Sequence, residues 1–159
     1  PQMLFARRAD DLLDFVVIRL TEKKIWEAIE KTGIPYRDWV AFKRTGEPVL
    51  QILMELNEGS GLSEKRVEMA IYEQIIRSEI DDYTTSRAHD DLTNMIKFRV
   101  KVTLLPSGAF ASYVSARQIE GADLAHLKPP HINPPQKILE RLLASAGISI
   151  AKEEEPQVA

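Results

Sequence analysis

Residues 96–119 read IKFRVKVTLLPSGAFASYVSARQI, and this stretch decides how the rest of the chain is interpreted. From Ile96 to Leu104, apolar residues alternate with polar ones, which is typical of a strand with one buried and one solvent-facing side. Pro106-Ser107-Gly108 then predicts a turn, because proline presets its φ and glycine adopts a left-handed conformation easily. We therefore predict a β-hairpin over about 96–119, in which Phe110 to Ile119 is the returning strand.

The outer side of this predicted hairpin is basic. Lys97, Arg99, Lys101 and Arg117 would share one face with Tyr113. Basic groups around an aromatic ring on a sheet can bind phosphates and stack a base, which makes nucleic-acid binding one hypothesis. A like-charge pair of Lys97 and Arg117 would cost stability unless an anion lay between them, and this favours the hypothesis. The alternative is a solvated face whose lysines deter edge-to-edge pairing.

The N-terminal half is predicted to be mainly helical. Helix-capping residues and glycine or proline punctuation predict helices over 22–31, 35–44, 48–56, 64–82 and 87–94. The helix over 48–56 is apolar almost all round, so we expect it in the core. The run LLDFVVIRL over 12–20 is compatible with a buried strand or a helix, since periodicity does not decide a short apolar run.

Together these patterns predict the α+β class, with the helical half packed on a small antiparallel sheet built around the hairpin. Four segments are expected: a single globular domain over 1–120, a proline-rich linker over 121–136, a short amphipathic helix over 137–147 and an acidic, flexible tail over 148–159. The linker contains four prolines within 128–135, which is typical of a stiff, extended spacer.

The helix after this spacer carries the residues that we expect to bind a partner. Ile138, Leu139, Leu142 and Leu143 lie on one side of it. A helix this short is not stable alone, so its apolar side needs a surface on which to dock. That surface would belong to a protein partner or to a second copy of the chain. The alternative is that the helix folds back onto its own domain.

Composition excludes several classes of protein. The 159 residues contain no cysteine, which excludes disulfides, thiolate zinc sites and iron–sulfur clusters. The net charge of −3 argues against a protein whose whole surface follows a nucleic-acid backbone. With 44% apolar residues and no run long enough to cross a membrane, we expect a soluble, cytoplasmic protein that does not associate with membranes, and a viral or phage origin is compatible.

Candidate chemistry is sparse, and we expect neither a metal site nor a cofactor. His89-Asp90-Asp91 resembles part of a metal-dependent hydrolase site, but that chemistry needs further converging ligands. Acidic clusters at 10–14 and at 81–82 fit helix ends better than Mg²⁺ sites. No GxSxG nucleophile motif or phosphate-binding loop is present in the sequence.

These observations leave three functional hypotheses. The first is a non-enzymatic interaction protein, a small accessory or assembly subunit anchored by its C-terminal helix. The second is a nucleic-acid-binding factor that uses the basic hairpin face. The third and weakest is a metal-dependent hydrolase centred on His89 and Asp90.

Overall fold

A computed structural model describes residues 12–15, 18–82 and 97–148 of the chain. In chain order, the elements are strands β1 (Leu12–Asp14) and β2 (Arg19–Thr21), helix α1 (Glu22–Thr32), strands β3 (Tyr36–Lys43) and β4 (Val49–Leu56), helix α2 (Glu64–Asp82), strand β5 (Arg99–Leu105), helix α3 (Ala109–Ile119), a single 3-10 turn (Leu124–His126) and helix α4 (Gln136–Ser145). The predicted α+β class is confirmed. None of the helices in these ranges is long and apolar enough to cross a membrane.

The main sheet is mixed and has three strands in the order β3-β4-β5. β3 pairs antiparallel with β4, while β4 pairs parallel with β5. Helix α2 lies within the long connection that a parallel pair requires. A second, two-stranded sheet is formed by β1 and β2, which pair antiparallel.

Both faces of the main sheet are buried. On one face, Leu50, Ile52 and Met54 of β4 pack in a cluster that includes residues of α1, α2 and the β1–β2 ribbon. On the other face, Leu53 and Val40 pack against residues of α3 and α4. A strand buried on both faces is apolar at nearly every position, which explains the composition of β4.

Two predicted helices, over 35–44 and 48–56, are strands in the structure, so the expectation of a helical N-terminal half is not confirmed. A strand covered on both faces and a buried helix have the same near-continuous apolar pattern, which describes most of β4 and, in β3, the consecutive buried residues Trp39, Val40 and Ala41. The neighbouring predictions over 22–31 and 64–82 correspond to α1 and α2. The helix predicted over 87–94 lies outside the described residues.

The predicted hairpin over about 96–119 is wrong in its second half. Its first strand is present as β5, but the stretch after the turn is helix α3. Gly108 precedes this helix with a φ of 86°, and the carboxylate of Glu55 accepts hydrogen bonds from the N–H groups of Gly108 (2.8 Å) and Phe110 (3.0 Å). A carboxylate from a distant strand therefore stabilises the helix N-terminus, and β5 pairs with β4 instead of a returning strand.

The apolar run over 12–20 forms two short strands rather than one continuous element. β1 and β2 pair so that Leu13 lies opposite Leu20. The N–H of Phe15 donates to the carbonyl of Ile18 over 2.8 Å, which closes the connection between them. The run thus contributes strand residues at both of its ends, over 12–14 and 19–20.

The proline-rich segment, which we define as residues 128–135, lies along the outer edge of β3. The N–H of Ala41 donates to the carbonyl of His131 over 2.7 Å, and the N–H of Asn133 donates to the carbonyl of Ala41 over 2.9 Å. Ile132, between these two residues, is buried in the main core. The segment therefore covers an edge strand that would otherwise expose unpaired backbone groups.

Helix α4 then folds back onto the sheet. Leu139 and Leu142 are buried in the cluster that contains Val40, Leu53 and Tyr113. The expectation that this helix lies outside the core is wrong, because a short amphipathic helix is stabilised by the nearest uncovered apolar face, and here that face belongs to its own sheet.

The opposite edge of the main sheet is covered by side chains. Two N–H groups of β5 point away from β4: that of Val102 donates to a carboxylate oxygen of Glu68 over 3.0 Å, and that of Leu104 donates to Glu64 over 2.9 Å. Both glutamates belong to α2. The edge of β5 is therefore not available in this structure for pairing with another strand.

Candidate functional site

Within the described part of the chain, a group of polar and aromatic side chains surrounds His131 in the proline-rich segment. Its Nδ1 lies 2.8 Å from a carboxylate oxygen of Glu22, and its Nε2 lies 3.0 Å from a carboxylate oxygen of Asp38. Glu22 is the first residue of α1, and Asp38 lies at the irregularity in the β3–β4 pairing. Because a neutral imidazole carries one N–H and an imidazolium carries two, only the protonated ring donates to both carboxylates.

The surroundings shift the pKa values of both partners in the direction that strengthens this contact. The hydrogen bond to Asp38 raises the pKa of His131; burial lowers it, and the hydrogen bond to Glu22 raises it further, so the net pKa lies above its usual value. For Asp38, burial raises the pKa, but hydrogen bonds from His131 and from the backbone of Trp39 outweigh it and hold the pKa below its usual value. His131 and Asp38 therefore form an ion pair over a shared pH range.

Two tryptophans pack against the imidazole ring. The ring of Trp39 stacks on His131 with centroids 4.7 Å apart and planes at 15°. The indole of Trp26 meets His131 edge-on at 5.6 Å and Trp39 edge-on at 6.5 Å. Trp39 is buried, whereas Trp26 keeps 44% of its surface exposed. The cluster thus offers one large aromatic surface to solvent next to an ion-paired histidine.

A groove of about 460 Å³ opens over this cluster. Glu30 holds two of the groove's aromatic side chains in position. Its carboxylate accepts hydrogen bonds from Nε1 of Trp26 (3.3 Å) and from the hydroxyl of Tyr36. Burial, followed by the hydrogen bond to Glu30, raises the pKa of Tyr36 to about 12, so this hydroxyl stays neutral near pH 7. Arg37 and Lys128 also line the groove, and the amine of Lys128 lies 3.7 Å from Asp38.

This arrangement is suited to binding rather than to proton transfer. Both ring nitrogens of His131 are occupied by carboxylates, which leaves neither nitrogen free to act on a substrate. Within the described ranges, no group of three or more acidic, histidine or cysteine residues is placed to hold a metal ion. What the groove presents is an exposed indole, a tyrosine and charged groups of both signs.

The predicted nucleic-acid surface is not assembled. Its cross-strand pairs required a returning strand, and that strand is helix α3. Tyr113 is buried under α4 with 1% of its surface exposed, so no base can stack on it. Three of the basic residues lie near acidic side chains instead. Arg117 is 2.9 Å from Glu120 and Arg99 is 3.9 Å from Glu47. Lys101 is 3.6 Å from Glu68. Lys97 is exposed in the turn before β5.

The predicted partner-binding leucines are mostly unavailable to a partner. Leu142 is fully buried and Leu139 is 6% exposed, both against their own domain. Ile138 and Leu143 are partly buried in the same cluster. The structure thus matches the alternative in which the helix folds back.

Most of the residues that the sequence analysis considered as metal ligands lie outside the described part of the chain. His89, Asp90, Asp91, Asp10 and Asp11 lie outside the described residues. Asp81 and Asp82 belong to the last turn of α2. Asp14 lies 3.4 Å from Arg19, its partner in the β1–β2 pairing.

Sequence reasoning did not identify the His131 cluster. It treated the segment that contains His131 as a stiff spacer. The contacts of His131 with Glu22 and Asp38 span 109 and 93 residues, a separation at which no local pattern is informative. One signal was present: between two proline pairs, an imidazole is the only side chain of this stiff segment that titrates near neutral pH.

No family model matches the chain, and no curated protein matches its sequence. Among solved structures, it is similar to GH3.15 acyl acid amido synthetase, with a TM-score of 0.55 and 13% sequence identity over 87% of this chain and 27% of that chain. At this level of identity the likeness shows the fold alone. The chain therefore shares the fold of about a quarter of a larger enzyme.

Proposed function

We propose that the chain is an accessory interaction domain, without catalytic activity of its own, that works with a larger synthetase-like catalytic unit. The observation that carries this proposal is the exposed indole of Trp26 beside the ion-paired His131 in a groove of about 460 Å³. The fold supports it, since in the acyl acid amido synthetase the same fold occupies 27% of a longer chain.

The composition of the groove favours a protein partner. Tryptophan, tyrosine and arginine are enriched among the residues that dominate binding energy at protein interfaces. Here Trp26 is held in place by its hydrogen bond to Glu30 and by its edge contact with Trp39, so little side-chain freedom is lost on binding. Arg37 and Lys128 at the groove add charges that can specify which partner docks.

This places the anchor in a different part of the molecule from the one that the sequence indicated. The leucines of α4 stabilise the fold, while the groove at the edge of β3 provides the docking surface. We also propose that the chain performs this interaction function in the cytoplasm.

The test is recovery of the partner from the native source with a tagged chain. We expect one larger protein to co-purify with the wild-type chain and with Leu124→Ala, a matched control whose side chain is 84% exposed and outside the groove. Trp26→Ala should reduce recovery at least tenfold, because it removes the proposed anchor. Circular dichroism should show that both variants are folded.

Capture alone does not identify the catalytic unit, so the complex is also assayed for amide formation from acyl acids. The complex should be active and the isolated chain inactive. Activity in the isolated chain would contradict the accessory role. Equal recovery with Trp26→Ala and Leu124→Ala would exclude the groove as the docking surface, and an inactive complex would refute a synthetase-like partner.

A further inference from the structure

We propose that His131 is a proton-operated latch, which fastens the proline-rich segment along β3 when protonated and releases it when deprotonated. This device depends only on contacts within the chain, so it would operate whether or not a partner binds.

The imidazole can keep both of its carboxylate contacts only while both ring nitrogens carry a proton. Each ring nitrogen lies within 3.0 Å of a carboxylate oxygen, from Glu22 on one side and Asp38 on the other. When the ring loses a proton, one nitrogen presents a lone pair to a carboxylate at this distance. That contact changes from attractive to repulsive, so the ring must leave at least one of its two partners.

Once the histidine is neutral, the other charged groups around the ring do little to balance the two carboxylates that contact it. The titratable or charged groups that line this region come from α1 (Glu22 and Glu30), from β3 (Tyr36, Arg37 and Asp38) and from the segment itself (Lys128). Two carboxylates contact the ring directly, whereas Lys128 lies 3.7 Å from the second oxygen of Asp38. Deprotonation therefore leaves Glu22 without the cation that contacts it here.

The backbone attachment of the segment is weak. Its four prolines have no N–H group, so they cannot donate to the edge of β3. Two backbone hydrogen bonds, both to Ala41, join the segment to the strand: one to the carbonyl of His131 and one from the N–H of Asn133. Side chains add to this attachment: Ile132, Pro129 and Pro134 are buried, Lys128 lies 3.7 Å from Asp38, and His131 is held by its two carboxylates.

Release of the segment would change the groove itself. His131 covers one face of Trp39, and the segment covers the outer edge of β3. An opened latch would expose both, in the same groove that Trp26 lines. If the proposed function is correct, partner binding at the groove becomes sensitive to pH, although the latch itself is measurable without any partner.

The test is an NMR titration of the isolated chain. The ring nitrogen shifts of His131 report its protonation directly, and amide hydrogen exchange reports opening. Between pH values below and above the pKa of His131, we expect the protection factors of the Ala41 and Asn133 amides to fall at least tenfold, after correction for the intrinsic pH dependence of exchange. The amides of β4 should keep their protection, because that strand is interior.

Two histidine variants serve as a matched pair. His131→Gln should show low protection of Ala41 and Asn133 at every pH, because glutamine carries no charge for either carboxylate. His126→Gln, at an exposed position in the 3-10 turn, should behave as the wild type. Should His131→Gln fail to fold, Asp38→Asn replaces it: removing one carboxylate should lower the pKa of His131 and shift the opening to lower pH.

The latch is overturned if His131 titrates at or below the ordinary value of 6.5. It is also overturned if the protection of Ala41 is unchanged through the titration, or if the β4 amides lose protection together with it, since the latter would be global unfolding. None of these outcomes involves a partner, so failure of the latch is distinguishable from failure of the proposed function.

Discussion

The carboxylate of Glu55 on β4 caps helix α3 by accepting a hydrogen bond from the backbone N–H of Gly108 over 2.8 Å. Its second oxygen accepts from the N–H of Phe110 over 3.0 Å, and the side chain is 1% exposed. The helix that replaces the predicted return strand is thus tied to the centre of the sheet by one buried acid. The Pro106-Ser107-Gly108 turn, which the sequence predicted as a hairpin loop, therefore leads into a helix.

Glu55→Gln should destabilise the protein. The amide can accept only one of the two hydrogen bonds and brings an NH₂ group into a buried site, so we expect a loss of about 1–3 kcal/mol in the free energy of unfolding. Urea denaturation measures this loss. Glu58→Gln is the matched control, because Glu58 accepts an exposed hydrogen bond from Ser107 and should change stability by less than about 0.5 kcal/mol. Equal effects of the two changes would contradict the cap.

Stability should be highest at mildly acidic pH. The pKa of His131 is raised by folding, so its contribution is complete below about 6.5, the unfolded value, and is lost as pH rises through the folded pKa. The pKa of Asp38 is lowered by folding, so its contribution is complete above about 3.8, the unfolded value, and is lost as pH falls through the folded pKa. Urea denaturation across this range measures both slopes.

The histidine variants separate this slope from other titrations. His131→Gln should flatten the decline of stability at neutral to alkaline pH, whereas His126→Gln should leave it unchanged. A decline that persists in full in His131→Gln would assign the slope to another group.

Leu142→Ala should destabilise the protein by about 2–5 kcal/mol, because it empties a fully buried site between α4 and the sheet. Leu124→Ala, at a position that is 84% exposed, should stay within about 0.5 kcal/mol of the wild type. Thermal or urea denaturation distinguishes the two variants. A detachable helix would give the same small effect for both, and that result would contradict the packing of α4 on its own domain.

Removing the carboxylates that cover β5 should make the protein self-associate. In Glu64→Ala/Glu68→Ala, the N–H groups of Val102 and Leu104 lose their acceptors, and an edge strand with free donors can pair with a second copy. Sedimentation velocity should show concentration-dependent association of this double variant. Glu73→Ala, an exposed change on the same helix, should remain as the wild type. Identical sedimentation of both proteins would show that the glutamates do not protect the edge.

Local signals in the sequence predicted several elements correctly. Thr21 caps α1 by accepting from the N–H of Lys24, and Gly33 ends that helix with a φ of 68°. Alternation predicted the strand that is β5, because a strand with one side toward solvent has a period of two. These features depend on residues a few positions apart, whose interactions are the same in any fold.

The sequence by itself determined the α+β class, the position of α1, α2, β5 and α4, and the absence of cysteine chemistry. Only the tertiary structure decided that residues 36–43 and 49–56 are strands, because burial on both faces removes the alternation that distinguishes a strand from a buried helix. It also decided the start of α3, through Glu55, and the site at His131, through Glu22 and Asp38. Those contacts join residues that are far apart in the chain, and their energy comes from burial and charge pairing that exist only once the sheet has formed.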